Sequence, residues 1–251
     1  MPPNLLILAG TTEAAGLARA LAAAGIAGTV SFAGRVERLP AQPLPQRVGG
    51  FGGVAGLVAY LRAHRITHVI DATHPFAAQM SAHAVAACAE AGVPLVALTR
   101  PAWTEEPGDR WIRVPDMAAA VAALARPAGR VMLAVGRMQL AQFAVHPQHF
   151  YLLRFVEPAT APQPFPDCRV VVDRGPFSPE ADRRLMEEHG IDLVVSKNSG
   201  GTGAYAKIAA ARALGLPVVM IDRPPPLARA EAASVDAVLH FIAHAGTDRG
   251  V

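Results

Sequence analysis

Leu5-Leu-Ile-Leu-Ala-Gly-Thr-Thr-Glu-Ala-Ala-Gly-Leu-Ala-Arg-Ala-Leu-Ala-Ala-Ala-Gly25 is the stretch on which the fold turns. Its first five residues are uninterruptedly apolar, the pattern of a strand buried on both faces. Over 13–24 the period changes: Leu17, Ala20, Leu21 and Ala24 fall at i, i+3, i+4 and i+7, and Gly25 is a stop signal. Working outward, the alternation continues. Strands are predicted over 29–32, 68–71, 93–98, 131–135, 151–155, 169–172, 193–195 and 218–221. Helices are predicted over 54–64, 77–91, 116–126, 138–143, 204–214 and 234–244, and one runs from N-cap Ser178 with Pro179 to Gly190. Strands separated by helices of this length imply parallel βαβ units.

The pattern breaks at Thr99-Arg-Pro-Ala-Trp103 and the following Thr-Glu-Glu-Pro-Gly, and resumes after it. The expectation is an α/β chain of two Rossmann-like three-layer subdomains with parallel sheets and a cleft between them. Residues 1–100 form the first and 101–251 the second.

Composition narrows the classes. Alanine inflates the 52% hydrophobic fraction, and the longest apolar runs, such as 131–135, fall far short of the ~20 residues that span a bilayer. The opening Met-Pro-Pro-Asn has no basic n-region, so no secretory signal is expected. Cys88 and Cys168 form no CxxC, which suits a reducing cytoplasm and offers no metal site; Cys88 reads as a small core residue. The net charge of +3 is mild, aromatics make up 6%, and arginines are scattered, which disfavours nucleic acid. A basic pocket for an acidic small molecule stays open.

Candidate chemistry lies at predicted strand exits. Gly10, Thr11, Thr12 and Glu13 occupy the place where a dinucleotide-binding fold cradles pyrophosphate, without the G-x-G-x-x-G pattern. A plain threonine cap with Glu13 favourable to the helix dipole reads equally well there. After the second strand the chain runs Ser31-Phe-Ala-Gly34-Arg35, with no acid for a ribose 2′-hydroxyl. An arginine there suits a 2′-phosphate, hence NADPH; otherwise Arg35 is a solvated loop residue. Gly49-Gly50-Phe51-Gly52-Gly53 before a helix allows close approach of a ligand, or forms a flexible linker. Asp71-Ala-Thr73-His74-Pro-Phe-Ala77 sets an acid, a hydroxyl and an imidazole in four residues, for proton donation and cofactor binding or for a capped turn. It offers no second histidine at i+4 for a metal.

In the second half, Gly136-Arg137 and Arg174-Gly-Pro-Phe177 follow strands. Of 23 basic residues only Lys197 and Lys207 are lysines, and both flank Asn198-Ser199-Gly200-Gly201. A solvated rim accounts for any one cation; four at equivalent positions favour a polyanion with several carboxylates.

These strings, with Arg100-Pro-Ala-Trp103, resemble the precorrin-6A reductase family, NADPH-dependent enzymes of cobalamin (corrin-ring) biosynthesis, over nearly the whole chain and in order. The resemblance implies hydride transfer from NADPH to a macrocycle double bond, giving precorrin-6B. It implies Gly10, Thr11, Thr12, Glu13, Ser31, Gly34, Arg35, Gly50, Phe51, Gly52, Gly53 and Thr73 around the cofactor, and His74 and Asp71 as catalytic candidates. Arg137, Arg174, Lys197, Asn198, Ser199, Gly200 and Lys207 would face the tetrapyrrole, the two lysines alternatively the cofactor phosphates. Hand-over to the next corrin-pathway enzyme is a further expectation, with no nucleic acid, membrane or metal involved. The alternatives are an NADPH reductase of another acidic substrate and a non-catalytic dinucleotide sensor. The residues leave open whether the pigment carries cobalt, and the oligomeric state.

Overall fold

The computed structural model describes residues 2–34, 41–159, 161–173 and 175–244. Along the chain run β1 (Asn4–Leu8), α1 (Thr12–Ala23), β2 (Ala27–Phe32), β3 (Gln46–Val48), α2 (Gly53–Ala63), β4 (His68–Asp71), α3 (Ala78–Ala91) and β5 (Leu95–Leu98). Then come β6 (Trp111–Val114), α4 (Met117–Ala122), β7 (Arg130–Ala134), a 3-10 segment (Arg137–Val145), β8 (Phe150–Phe155) and β9 (Cys168–Val172). The chain closes with α5 (Pro179–Glu188), β10 (Leu193–Lys197), α6 (Ala206–Ala213), β11 (Val218–Ile221), β12 (Ala230–Ala232) and α7 (Val235–His244).

Two all-parallel six-stranded sheets result, ordered β12-β5-β4-β1-β2-β3 and β6-β11-β10-β7-β8-β9. Read from β3, the first follows the 3-2-1-4-5-6 sequence of a doubly wound sheet, whose order reverses between β1 and β4. Read from β9, β7 to β11 repeat the 3-2-1-4-5 part of it, with the reversal between β7 and β10, and β6, the earliest strand of its unit, takes the last place. The α/β expectation with two parallel sheets stands. The division falls near residue 101 as expected, but 225–251, expected in the second unit, lies with the first. The chain divides into Met1–Pro101 with Pro225–Val251, and Ala102–Pro224. The sixth place of the first sheet is filled by β12, through Ala230↔Val96 and Ala232↔Leu98. The sixth place of the second is filled by β6, through Trp111↔Val218 and Val114↔Ile221.

In the first unit β1 is buried on both faces, and its side chains divide by parity. Leu5 and Ile7 pack with Leu17 and Leu21 of α1 and Val238 and Ile242 of α7. Leu6 and Leu8 pack with Leu57 and Leu61 of α2 and Ala84, Ala87 and Cys88 of α3. Burial, and secondarily Asp71, pushes the Cys88 thiol up to about 12, so it behaves as an inert core group. In the second unit Met132, Leu152, Val194 and Met220 pack against Met186 of α5 and Ile208 and Ala211 of α6.

Local chemistry sets the helix starts. Thr11 caps α1 by accepting from Ala14 N, Asp116 caps α4 and Ser178 caps α5, with Pro179 opening that helix as expected. The predicted helix over 138–143 is a 3-10 segment, the one over 116–126 is six residues long, and α6 starts at Ala206 rather than 204. Among the described residues no helix is long and apolar enough to cross a membrane.

Candidate functional site

The carboxyl ends of β1 and β4, adjacent at the reversal of strand order in the first unit, bring the Gly10 turn against the Thr73-His74 turn. Thr11 ties them: its hydroxyl donates to Ala72 O at 3.0 Å while accepting from Ala14 N at 3.2 Å. That hydroxyl, expected on the cofactor, is engaged in joining the turns. Gly10 is exposed and its φ is not positive. A Cβ there would lie 3.6 Å from His74 N and 3.8 Å from Thr73 Cα, ordinary contact distances. The chain itself therefore does not require glycine at this place, and the bare backbone at the start of α1 suits close approach of a phosphate. Glu13, in the first turn, is neutralised by Arg100 at 2.5 Å and bonded by the Thr12 hydroxyl at 3.1 Å. Burial would raise its carboxyl; a backbone hydrogen bond, Arg100 and Thr12 outweigh that and leave its pKa lowered.

Asp71, placed as a catalytic candidate, is a buried hub instead. Its Oδ1 accepts from Thr73 N at 3.1 Å and from the Thr73 hydroxyl at 2.7 Å. Its Oδ2 accepts from Ser81 Oγ at 2.6 Å and pairs with Arg229, which stands immediately before β12. Both oxygens and the Thr73 hydroxyl proton, expected at the catalytic and cofactor sites, are thus engaged within the fold. Half-buried His74 accepts from Phe76 N at its Nδ1, 3.2 Å away, so the neutral ring carries its proton on Nε2.

At the end of β2, Ser31 Oγ accepts from Arg47 Nη1 at 2.7 Å. Arg47 Nη1 also donates to Gly49 O at 3.0 Å and Nη2 to Gly50 O at 3.1 Å, and the guanidinium lies 3.9 Å from the Phe51 ring centroid. Phe51, read as a cofactor contact, thus faces Arg47. Gly56 lets the Phe51 carbonyl approach α2; a Cβ there would sit 1.7 Å from that oxygen. Gly34, with φ +75°, Gly50 and Gly52 stand in the turns around this edge, and Gly53 opens α2. Arg35 lies outside the described residues.

The second unit repeats the arrangement where β7 meets β10. Lys197 Nζ donates to Gln139 Oε1 at 3.2 Å, and a Cβ on Gly136 would lie 3.8 Å from that nitrogen. Exposed Arg137 donates to Glu157 O at 2.7 Å and rests 4.4 Å from the Phe155 ring centroid. Arg174 lies outside the described residues.

Two expected substrate contacts, Asn198 and Lys207, are buried and bonded within the fold. Buried Asn198 accepts from Trp103 N at 2.8 Å and donates to Trp103 O at 2.9 Å, clamping the turn from within. Trp103 Nε1 donates to Gly201 O at 2.7 Å, and Gly200 and Gly201 take φ of +66° and +64°, which glycine adopts without strain. The carbonyls of Asn198 and Ser199 both accept from Arg223 at 3.0 Å. Lys207 points inward: its Nζ donates to Ala204 O at 2.6 Å and lies 5.2 Å from the Trp103 ring. Burial foremost, then Arg154, drops its ammonium to about 8, with Asp182 opposing.

Reading the sequence missed Arg47, Arg100, Arg229 and Gln139 as partners. Arg100 and Trp103 carried a signal in the string Arg100-Pro-Ala-Trp103; Arg229 and Gln139 carried none.

Two six-stranded parallel sheets with flanking helices, each with a reversal of strand order, define a two-unit α/β protein. The chain belongs to the precorrin-6x reductase family CbiJ/CobK, whose profile matches residues 4–243. It is 56% identical over 249 residues to the precorrin-6A reductase of Rhodobacter capsulatus, covering 99% of each chain. To the precorrin-6A reductase of a Sinorhizobium species it is 45% identical, covering 96% of this chain and 93% of the relative. A solved structure, CobK precorrin-6A reductase, superposes with a TM-score of 0.93 at 55% identity, covering 99% of this chain and 100% of that one. The chain is accordingly an oxidoreductase that reduces a precorrin macrocycle, a reaction that draws on a nicotinamide cofactor.

Proposed function

We propose that this protein reduces one macrocycle double bond of precorrin-6A to give precorrin-6B, with NADPH as reductant. The supporting observation is the first unit's reversal of strand order, where exposed Gly10 opens the start of α1 beside the His74 turn. NADPH is favoured over NADH because residues 31–34, at the end of β2, carry no acid to meet a ribose 2′-hydroxyl and would not repel a 2′-phosphate. The cobalt-free pigment is favoured because the relatives at 56% and 45% identity are both named for it.

The bound nicotinamide supplies the hydride. Gly10 and the first turn of α1 receive the pyrophosphate through backbone N–H groups, while Arg100 offsets the Glu13 charge beside it. Asp71 sets the Thr73-His74 turn, and His74, doubly protonated as imidazolium with its Nδ1 contact to Phe76 N given up, donates the proton that completes the reduction and is left neutral. Arg137 and Lys197 hold pigment carboxylates, with Ser199 and Gly200 shaping the turn. The product passes to the next corrin-pathway enzyme in the cytoplasm.

NADPH consumption, followed optically with and without precorrin-6A, tests the reading. Oxidation should require pigment, and His74→Ala should slow the single-turnover rate about 10²-fold or more. Unchanged single-turnover kinetics in that variant would remove the proton from His74; no pigment-dependent oxidation would overturn the function.

A further inference from the structure

We infer that Arg47 selects NADPH over NADH by holding the adenosine 2′-phosphate, an inference that rests on the NADPH reading above. In a doubly wound sheet the ribose 2′ position falls at the carboxyl end of the second strand. That end is β2, and β3 lies beside it in parallel register, with Ser31 opposite Arg47. The guanidinium is thereby carried to the strand end by a strand rather than by a loop.

The group is fixed on several sides. Nη1 bonds Ser31 Oγ at 2.7 Å and Gly49 O at 3.0 Å, Nη2 bonds Gly50 O at 3.1 Å, and the plane stacks 3.9 Å from the Phe51 centroid with Tyr60 at 5.2 Å. Every one of these oxygen partners is neutral. Among the described residues no carboxylate pairs with Arg47, whereas Arg100, Arg113, Arg126, Arg154, Arg212 and Arg229 all have acidic partners. Of five guanidinium hydrogens, three are engaged. Nε–H and the second Nη2 hydrogen have no acceptor among the described residues. A half-buried, oriented cation with two donors in reserve and no counter-charge matches a phosphate dianion in both charge and fork geometry.

The rival role is bracing: Arg47 could serve only to hold the glycine turn. Titration calorimetry with 2′,5′-ADP and 5′-AMP, which differ by the 2′-phosphate alone, separates the two without any hydride transfer. The wild type should bind 2′,5′-ADP the more tightly. Arg47→Gln should weaken 2′,5′-ADP about 10- to 100-fold and 5′-AMP by less than about 3-fold. The NADPH-over-NADH preference in kcat/KM should fall by the same factor. Should Arg47→Gln fail to fold, Arg47→Lys keeps the charge without the fork and should show a severalfold loss confined to 2′,5′-ADP. Equal loss for both nucleotides would overturn the role of Arg47 and leave the NADPH reading intact. A wild type that binds 2′,5′-ADP no better than 5′-AMP would overturn both.

Discussion

Asp71 collects donors from Thr73, Ser81 and Arg229 on two oxygens that water barely reaches, so its charge organises the turn that carries His74. Its side chain is 1% exposed and that of Arg229 15%, so screening is weak and removing one partner strands the other. Asp71→Asn should cost on the order of 3–5 kcal/mol of unfolding free energy, read from urea midpoints. Arg229→Met in the same background should recover part of the loss, giving a coupling energy above about 1 kcal/mol. Additive losses would mean the pair is incidental. At this scale the sequence displayed the right strings but not the partners. Asp71 and Arg229 stand 158 residues apart, and Asn198 and Trp103 95 apart. A carboxylate that will be fully bonded in the fold looks identical, in a string, to one left available for a proton.

At the scale of elements, α6 begins by turning its lysine inward, and the turn before it is held from below by Trp103 rather than by charge. Lys207 is 7% exposed and faces Arg154 as well as Asp182, so the ammonium is disfavoured in the fold, falling from 10.5 to about 8. The unfolded chain, with the ordinary lysine value, binds more protons between those limits, so unfolding free energy rises with pH from about 8 to 10.5. Below about pH 8 the cost of the buried charge is present in full, about 3 kcal/mol. Lys207→Met should therefore be the more stable protein at pH 7, with its advantage shrinking as pH approaches 10.5. Urea midpoints of both proteins across that range check the sign; an advantage that grows with pH would refute the buried-charge account. The periodicity that announced α6 could not show this orientation, because Lys207 is polar by type yet lies on the face shared with Ile208 and Ala211. Of the three strands that went unpredicted, Trp111–Val114 among them, two fail for a similar reason. Gln46–Val48 and Ala230–Ala232 are three-residue strands rich in polar or small residues, too short to show a period of two.

For the whole molecule, the sequence conveyed two parallel α/β units but not which segment closes each sheet, since neighbours in a sheet need not be neighbours in sequence. The C-terminal segment returns to the first unit, bringing β12 to β5, Arg229 to Asp71 and α7 to α1. Val238 and Ile242 of α7 are almost wholly buried, a transfer free energy of roughly 3–6 kcal/mol. That alone is comparable with the total stability of an ordinary domain, about 5–15 kcal/mol. A chain ending at Pro224 would lose this burial, the β12 pairing and the counter-charge of Asp71 together, while every element of Ala102–Pro224 is retained. Hydrogen exchange should then show protection lost from β1, β4 and α1 but kept in β7, β10 and β11. Had residues 101–251 formed a unit of their own, the same truncation would strip protection from the second sheet instead. Retained protection in β1 and β4 would show that the first sheet folds without its sixth strand.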